Sequence, residues 1–165
     1  MRGGLQLALD RLQVRLTGEQ IADAVSVRQS GLPSQRLVID RIEGAVSDME
    51  PPPSAVRLWL ADRLFVRDAK PTAVASLVLF HERATDPAEA LGVGRSVPAR
   101  NPWLGSAWYT SEPHVAPLAA GPPRQWFLRG TTPIFDKRGL AVAIAEVRVT
   151  TPPHAPLPRW PRNAM

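Results

Sequence analysis

The spacing of hydrophobic residues predicts two helices at the start of the chain. Four leucines recur at intervals of three and four residues, which places them on one face of a helix: Leu5, Leu9, Leu12 and Leu16. A looser alternation of apolar and polar residues also fits this segment, residues 5–16. The next segment, 17–25, begins with Thr17 and Gln20 at the spacing of a capping box. We therefore predict a second helix there.

Apolar runs bounded by prolines and glycines predict strands in most of the remaining chain. The predicted strands lie at 35–48, 55–66, 72–80, within 124–139 and at 139–149. Residues 67–71 are short enough to join the second and third strands as a hairpin, and "DKRG" forms a turn before the last strand. A short helix is expected after Asp86, because Pro87 suits the first helical position.

This order of elements predicts an α+β fold in a single domain. Successive strands joined by short turns favour an antiparallel β-sheet, with a few helices on one face and an internal ligand pocket. The domain spans residues 1–151, and a proline-rich C-terminal tail follows at 152–165. With so many prolines the tail cannot form regular structure, so it either lies extended on the domain or offers a polyproline ligand to a partner.

One charged residue interrupts the last predicted strand, "GLAVAIAEVRV". Glu146 shares its parity with Leu140, Val142 and Ile144, so it lies on the face with the larger apolar side chains. A carboxylate on a core face must be paired, protonated or used in chemistry. The alternative is a strand-end glutamate in solvent or paired with a neighbouring arginine such as Arg148.

Composition narrows the class of protein. The hydrophobic fraction of 44% and the charged fraction of 21% are typical of a globular chain. No cysteine is present, which excludes disulfides and thiolate sites, and the three histidines are too far apart to suggest a metal site, so we expect no cofactor. No apolar run is long enough to cross a bilayer, and the start is too charged for a secretory signal, so we expect a cytoplasmic protein without membrane contact.

The net charge of +5 permits several partners. It fits nucleic acid, a small anionic ligand or simple solubility, because the basic residues form no run. Residues 16–30 resemble the first helix and turn of a helix-turn-helix. Gly31 and Pro33 would lie inside the following recognition helix and break it, so nucleic acid is not the expected partner. We expect a monomer or a small homo-oligomer.

Several motifs together resemble the chorismate pyruvate-lyase family. Trp59-Leu60, Asp68 nine residues after Trp59, and Pro71 are similar to the W-L…D-x-x-P pattern of the central hairpin in that family. "LGSAWYTS" (104–111) and "GLAVAIAE" (139–146) resemble two later segments, and "PPHAPL" resembles the end of those chains. A related fold occurs as the effector-binding domain of one class of bacterial repressors.

The resemblance implies an enzyme that eliminates pyruvate from chorismate to give 4-hydroxybenzoate, a step of ubiquinone biosynthesis, without a metal or redox cofactor. It implies that Glu146 is the catalytic acid, whose proton goes to the departing enolpyruvyl group. The position of the family's binding arginine is occupied by Ser76. Either Arg28, Arg83 or Arg129 replaces its charge, or the ligand differs or the activity is lost. Leu104 and Gly105 match a ligand-contacting segment.

Gln29 falls near an early segment that lines the pocket in that family. The ligand implied by the resemblance is a small aromatic or dicarboxylate metabolite. Two other functions stay open from the sequence: a non-catalytic module of the same fold that binds a small anion, and a DNA-binding regulator that uses residues 16–45.

Overall fold

Three helices precede a six-stranded sheet in the computed structural model. It describes residues 2–26, 32–65, 70, 74–102, 104–110, 114–121 and 125–150. The helices are α1 (Arg2–Arg15), α2 (Gly18–Ser26), α3 (Leu32–Val46) and the later α4 (Gly105–Thr110). The strands are β1 (Ala55–Ala61), β2 (Ser76–Ala84), β3 (Ser96–Pro98), β4 (His114–Gly121), β5 (Gln125–Phe135) and β6 (Ala141–Thr150). No helix in these ranges combines the length and apolar character that a membrane crossing needs.

The strands lie in the order β3-β2-β1-β6-β5-β4, and the strand pairs run antiparallel. The α+β fold with an antiparallel sheet is therefore confirmed. The first strand, β1, lies beside the last one, β6, in the centre of the sheet. Residues far apart in the sequence thereby become direct neighbours, and this pairing builds the site described below.

Helices α1, α2 and α3 cover one face of the sheet; the sequence predicts helices on one face, but it does not predict α3 among them. The four leucines of the α1 pattern are buried, and they pack with Leu58 of β1 and Leu128 of β5 in one apolar cluster. Burial of each large side chain stabilises the fold by about 1.5–3 kcal/mol. Gly130 lets α1 approach β5 closely, because a Cβ at this position would lie 2.7 Å from Leu9 Cδ1.

The predicted capping box at the start of α2 is confirmed. The Gln20 side chain accepts a hydrogen bond from the Thr17 backbone N–H at 3.1 Å, and the Thr17 hydroxyl accepts one from the Gln20 N–H at 3.3 Å. Both backbone donors would otherwise lack a partner at the helix start, so the pair sets where α2 begins.

The strand predicted at 35–48 is wrong, because these residues lie mostly in helix α3. Val38, Ile42 and Ala45 are fully buried at the spacing of one helical face, whereas Leu37 is 41% exposed. The high strand propensity of valine and isoleucine is a weak preference, and packing against α1 and α2 overrides it. Pro33 is tolerated because it lies in the first turn of the helix.

The predicted hairpin is confirmed as the β1–β2 pair, with different strand ends. The chain leaves β1 after Ala61 and forms a 3-10 helix at Asp62–Phe65. The Asp62 carboxylate accepts hydrogen bonds from the Ala75 N–H at 3.3 Å and the Ser76 N–H at 3.1 Å, which holds the start of β2 in place. Except for residue 70, the predicted connection 67–71 lies outside the described residues, as does the tail at 152–165.

The helix expected after Asp86 is a single 3-10 turn, Pro87–Glu89. The Asp86 carboxylate caps it by accepting a hydrogen bond from the Ala88 N–H at 2.9 Å. The turn at "DKRG" is confirmed between β5 and β6, where Gly139 adopts a φ of 78° that suits glycine.

Candidate functional site

The face of the sheet opposite α1–α3 buries charged residues, and we call it the charged face. The strand register brings four polar side chains into one row across four strands: Glu82, Arg57, Glu146 and Thr131. The next row contains Arg148 of β6 and Arg129 of β5, which lie directly opposite each other and which we call the arginine pair. Directly paired residues point to the same face of a sheet, and so do residues two apart on one strand. Both rows therefore lie on one surface.

Arg57 is the centre of the first row. Its guanidinium donates from Nε to Glu82 at 2.7 Å, from Nη1 to Glu146 at 3.4 Å and from Nη2 to the Glu89 carbonyl at 2.8 Å. Its residue exposure is only 3%. Each of the three nitrogens of the guanidinium is therefore engaged by a partner within the protein.

Glu146 is buried, with 6% exposure, as its position in the strand predicts. Its Oε1 atom accepts hydrogen bonds from Arg57 and, at 3.0 Å, from the indole N–H of Trp59. The prediction that it lies on the core face is wrong, because the alternate residues of β6, such as Ala145, pack into the helix-covered core. Glu146 is a paired group on the opposite face. Its strongest partner comes from β1 and not from Arg148, which the sequence suggested as an alternative.

Glu82 ties a loop to the sheet. Besides Arg57, it accepts hydrogen bonds from the backbone N–H groups of Leu91 and Gly92 at 3.0 Å each. Burial acts to raise the pKa of Glu82, but the bonds from Arg57, Leu91 and Gly92 outweigh it and hold the pKa below its ordinary value. This carboxylate therefore stays charged at neutral pH.

The arginine pair brings two like charges together in a buried setting. Arg129 is 8% exposed, and burial is the main cause that lowers its pKa. The charge of Arg148 lowers the pKa further, whereas the charge of Glu146 raises it. The Arg148 guanidinium lies 4.2 Å from the centre of the Phe127 ring, which orients it by a cation–π contact.

Several polar groups around the arginine pair lack partners. In the part of the chain that the structure describes, no Asp or Glu forms an ion pair with either arginine. Buried atoms without a hydrogen-bond partner include Arg148 Nε and the hydroxyls of Thr131 and Thr150. Thr131 pairs with Glu146 and Thr150 pairs with Phe127, so these groups surround the pair on the same face. Unsatisfied buried donors each cost about 1–3 kcal/mol, so this surface is suited to an incoming acceptor.

The structure brings together only part of the predicted site. Glu146 and Arg129 lie on the charged face in adjacent rows. Leu104 packs with Trp59 in an apolar cluster at the edge of the first row. Gly105 is the first residue of α4 and borders an open groove lined by Arg100, Asn101, Pro102 and Tyr109. Gln29 lies outside the described residues.

Ser76 does not belong to this site. It shares its parity with Val78, which pairs with Leu60 of the helix-covered face, and its hydroxyl donates to Asp62 at 3.2 Å. It also lies beyond the far end of β1, roughly 16 Å along the strand from Arg57. Ser76 therefore lies on the face opposite Glu146 and away from the arginine pair.

Sequence reasoning missed Arg57 and Glu82. The signal was present in "AVRLWLA", where a charged residue interrupts a buried run as Glu146 does in β6. Only the register shows that these opposite charges are direct neighbours. Arg129, one of the arginines considered from the sequence, lies beside Glu146.

Comparison with known proteins gives matches to solved structures alone. No family model matches the chain, and no curated protein does. The sensory domain of a Campylobacter jejuni chemoreceptor matches with a TM-score of 0.47 and 11% identity, over 90% of this chain and 52% of that one. The periplasmic sensory domain of another C. jejuni chemoreceptor matches with a TM-score of 0.46 and 11% identity, over 89% and 54%.

A third match is the ligand-binding domain of a Pseudomonas aeruginosa PAO1 amino acid chemoreceptor in complex with GABA. Its TM-score is 0.41 and its identity 14%, over 90% of this chain and 57% of that one. The chain thus spans about half the length of the structures that it matches.

These comparisons correct the functional expectations from the sequence. The matching structures named here are sensory or ligand-binding domains of chemoreceptors and not lyases, so the resemblance to chorismate pyruvate-lyases is wrong. With it fall the lyase activity, the catalytic role of Glu146 and the place in ubiquinone biosynthesis. The cytoplasmic location is contradicted as well, because one matching domain is described as periplasmic. The physical reason is that short motifs are shared by chance, and here Ser76 and Glu146 face opposite sides of the sheet.

Proposed function

We propose that this protein is a non-catalytic binding domain for a small molecule with a carboxylate, and that the arginine pair binds that carboxylate. The observation that carries this proposal is the pair itself. Arg129, which is buried, and Arg148, which is half-buried, lie opposite each other, and no described acidic residue forms an ion pair with either of them. A buried cation without a carboxylate in ion-pair contact is costly, and a bound carboxylate offsets that cost.

The surroundings suit a carboxylate better than a bare inorganic ion. Two guanidinium groups can each donate two parallel hydrogen bonds to the planar carboxylate. The unpaired hydroxyls of Thr131 and Thr150 add donors on either side of the pair. The Phe127 ring beside Arg148 supplies apolar surface for the rest of a small organic molecule.

Calorimetric titration with a panel of small monocarboxylic acids tests the proposal. Arg129→Met keeps an unbranched apolar side chain and removes the charge, so we expect binding to weaken by at least about 1.5–3 kcal/mol, the strength of a charge-assisted hydrogen bond. Arg41→Met is the matched control, because Arg41 is an exposed arginine on α3, and it should bind like the wild type.

Stability supplies the second readout of the same variant. If the arginine pair awaits a ligand, Arg129→Met removes like-charge repulsion and a desolvation cost, so the unliganded protein should become more stable by about 1 kcal/mol. A loss of several kcal/mol would mean that Arg129 forms a structural ion pair, and the proposal would then fail.

A further inference from the structure

The charges of the charged face are distributed unevenly. On the side of β5, the arginine pair carries two positive charges. On the side of β1 and β2, Arg57 lies between Glu82 and Glu146, so this group of three carries one net negative charge. Glu89, whose carbonyl accepts from Arg57, is half-buried and adds a carboxylate with an unpaired buried oxygen on the same side.

Glu146 is the carboxylate of the first row that borders the arginine pair. It lies two residues from Arg148 on the same face of β6, which separates the two Cα atoms by about 6.6 Å. It lies diagonally across from Arg129 and its charge acts on that guanidinium. Arg57 and Trp59 both bind its Oε1 atom, so the side chain is held in place and cannot turn away from a ligand.

We propose that Glu146 is a specificity-determining residue, which restricts the ligand to molecules with one carboxylate and selects against dianions. The inference rests on the proposed function of the arginine pair. A ligand carboxylate at the arginine pair lies beside the two guanidinium groups, and Glu146 is a single, more distant anion. A second carboxylate that extends towards β1 meets Glu146, and Arg57 is already engaged by its own partners.

Among the residues that the structure describes, the opposite direction offers no counter-charge either. Phe127 and Thr150 form the next row beyond the arginine pair. Phe127 is a buried aromatic residue, and its ring already lies against Arg148. A carboxylate placed there would lose its hydration without gaining a cation. The neutral end of a monocarboxylic acid has no such cost on either side.

Matched acids that differ by one charge test this inference by calorimetric titration. Succinamate and succinate share a skeleton, as do phthalamate and phthalate, and an amide replaces one carboxylate in the first member of each pair. Coulomb repulsion across one row should make the wild type bind the monoanion at least about tenfold more tightly than the dianion. Glu146→Gln keeps the acceptor for Arg57 and Trp59 but removes the charge, so the ratio should fall to about threefold or less.

Glu43→Gln is the matched control, because Glu43 is a carboxylate in a cluster with His81 and Arg83. It should leave the ratio unchanged. If Glu146→Gln does not fold, the triple variant Arg57→Met, Glu82→Gln, Glu146→Met replaces it, since buried ionic triads can be exchanged for uncharged residues. The same fall in the ratio is expected there.

The outcomes separate the two proposals. If the wild type binds dianions as well as monoanions and Arg129→Met abolishes both, the arginine pair is a binding site and the inference on Glu146 is overturned. If the ratio persists after removal of the Glu146 charge, the inference is also overturned. If no monoanion binds the wild type, the proposed function and the inference fall together.

Discussion

The two faces of the sheet bury their side chains in different ways. The helix-covered face is filled by leucine, valine and isoleucine side chains that α1, α2 and α3 supply or cover. On the charged face the same strands bury Arg57, Arg129 and Glu146, each less than a tenth exposed. The first face stabilises the fold by removing apolar area from water. The second face requires ion pairs and hydrogen bonds merely to offset the cost of desolvation.

This difference indicates that the helix-covered face serves stability and that the charged face serves another purpose. An apolar layer on both faces would serve the fold at least as well, since buried ion pairs are often replaceable by hydrophobic residues without loss. In the first row Arg57 forms ion pairs with Glu82 and Glu146, whereas no described acidic residue forms an ion pair with the arginine pair. The uncompensated part of the charged face is therefore where a ligand can contribute most.

Removing the shared cation of the first row should have the largest effect on stability. Arg57→Met leaves Glu82 and Glu146 buried without their shared cation, so we expect the free energy of unfolding to fall by about 3–5 kcal/mol. Urea denaturation followed by circular dichroism measures this change. Arg41→Met, on the exposed side of α3, should stay within about 0.5 kcal/mol of the wild type. A loss below about 1 kcal/mol for Arg57→Met would contradict the central role of this residue.

Overpacking the helix-covered face should have an intermediate effect. Gly130→Ala adds a Cβ atom 2.7 Å from Leu9 Cδ1 and 3.0 Å from Leu5 Cδ1, so α1 must shift or the leucines must change rotamer. We expect a loss of about 1–3 kcal/mol in the same denaturation experiment. Gly44→Ala on α3 is the control, because nothing lies within 4 Å of a Cβ there. It should be neutral or slightly stabilising, since alanine favours helices over glycine.

The smallest expected effect is a difference in acid sensitivity. The pKa of Glu82 is lower in the folded protein than its ordinary value of 4.5, so the ionised carboxylate stabilises the fold above that pH. This contribution is lost as the pH falls below 4.5 and through the folded pKa. Glu82→Gln should therefore be less stable than the wild type at pH 7, and the difference should shrink below pH 4.5. A difference that is constant from pH 7 to pH 3 would rule out this account.

Local patterns determined much of the secondary structure. The leucine spacing in α1, the Thr17–Gln20 capping box and the turn before β6 depend on neighbours within a few residues, and all three are present in the structure. The strand predicted at 35–48 became a helix because valine and isoleucine fit both a strand and a buried helix face. Packing of α3 against α1 and α2 decided between them.

The sequence by itself indicated that Glu146 would be buried, because the run around it is apolar on both faces, but alternation assigned it to the wrong face, since the other parity of β6 packs against the helices. Only the tertiary structure decided what the carboxylate pairs with. Arg57 lies 89 residues away in the chain and becomes its neighbour through the antiparallel pairing of β1 with β6. A shift of that register by one residue would turn every side chain of the strand to the other face. The first row and the arginine pair therefore exist only once the sheet has formed. The packing of whole faces sets the strand pairing, and the residues that carry the charge do not.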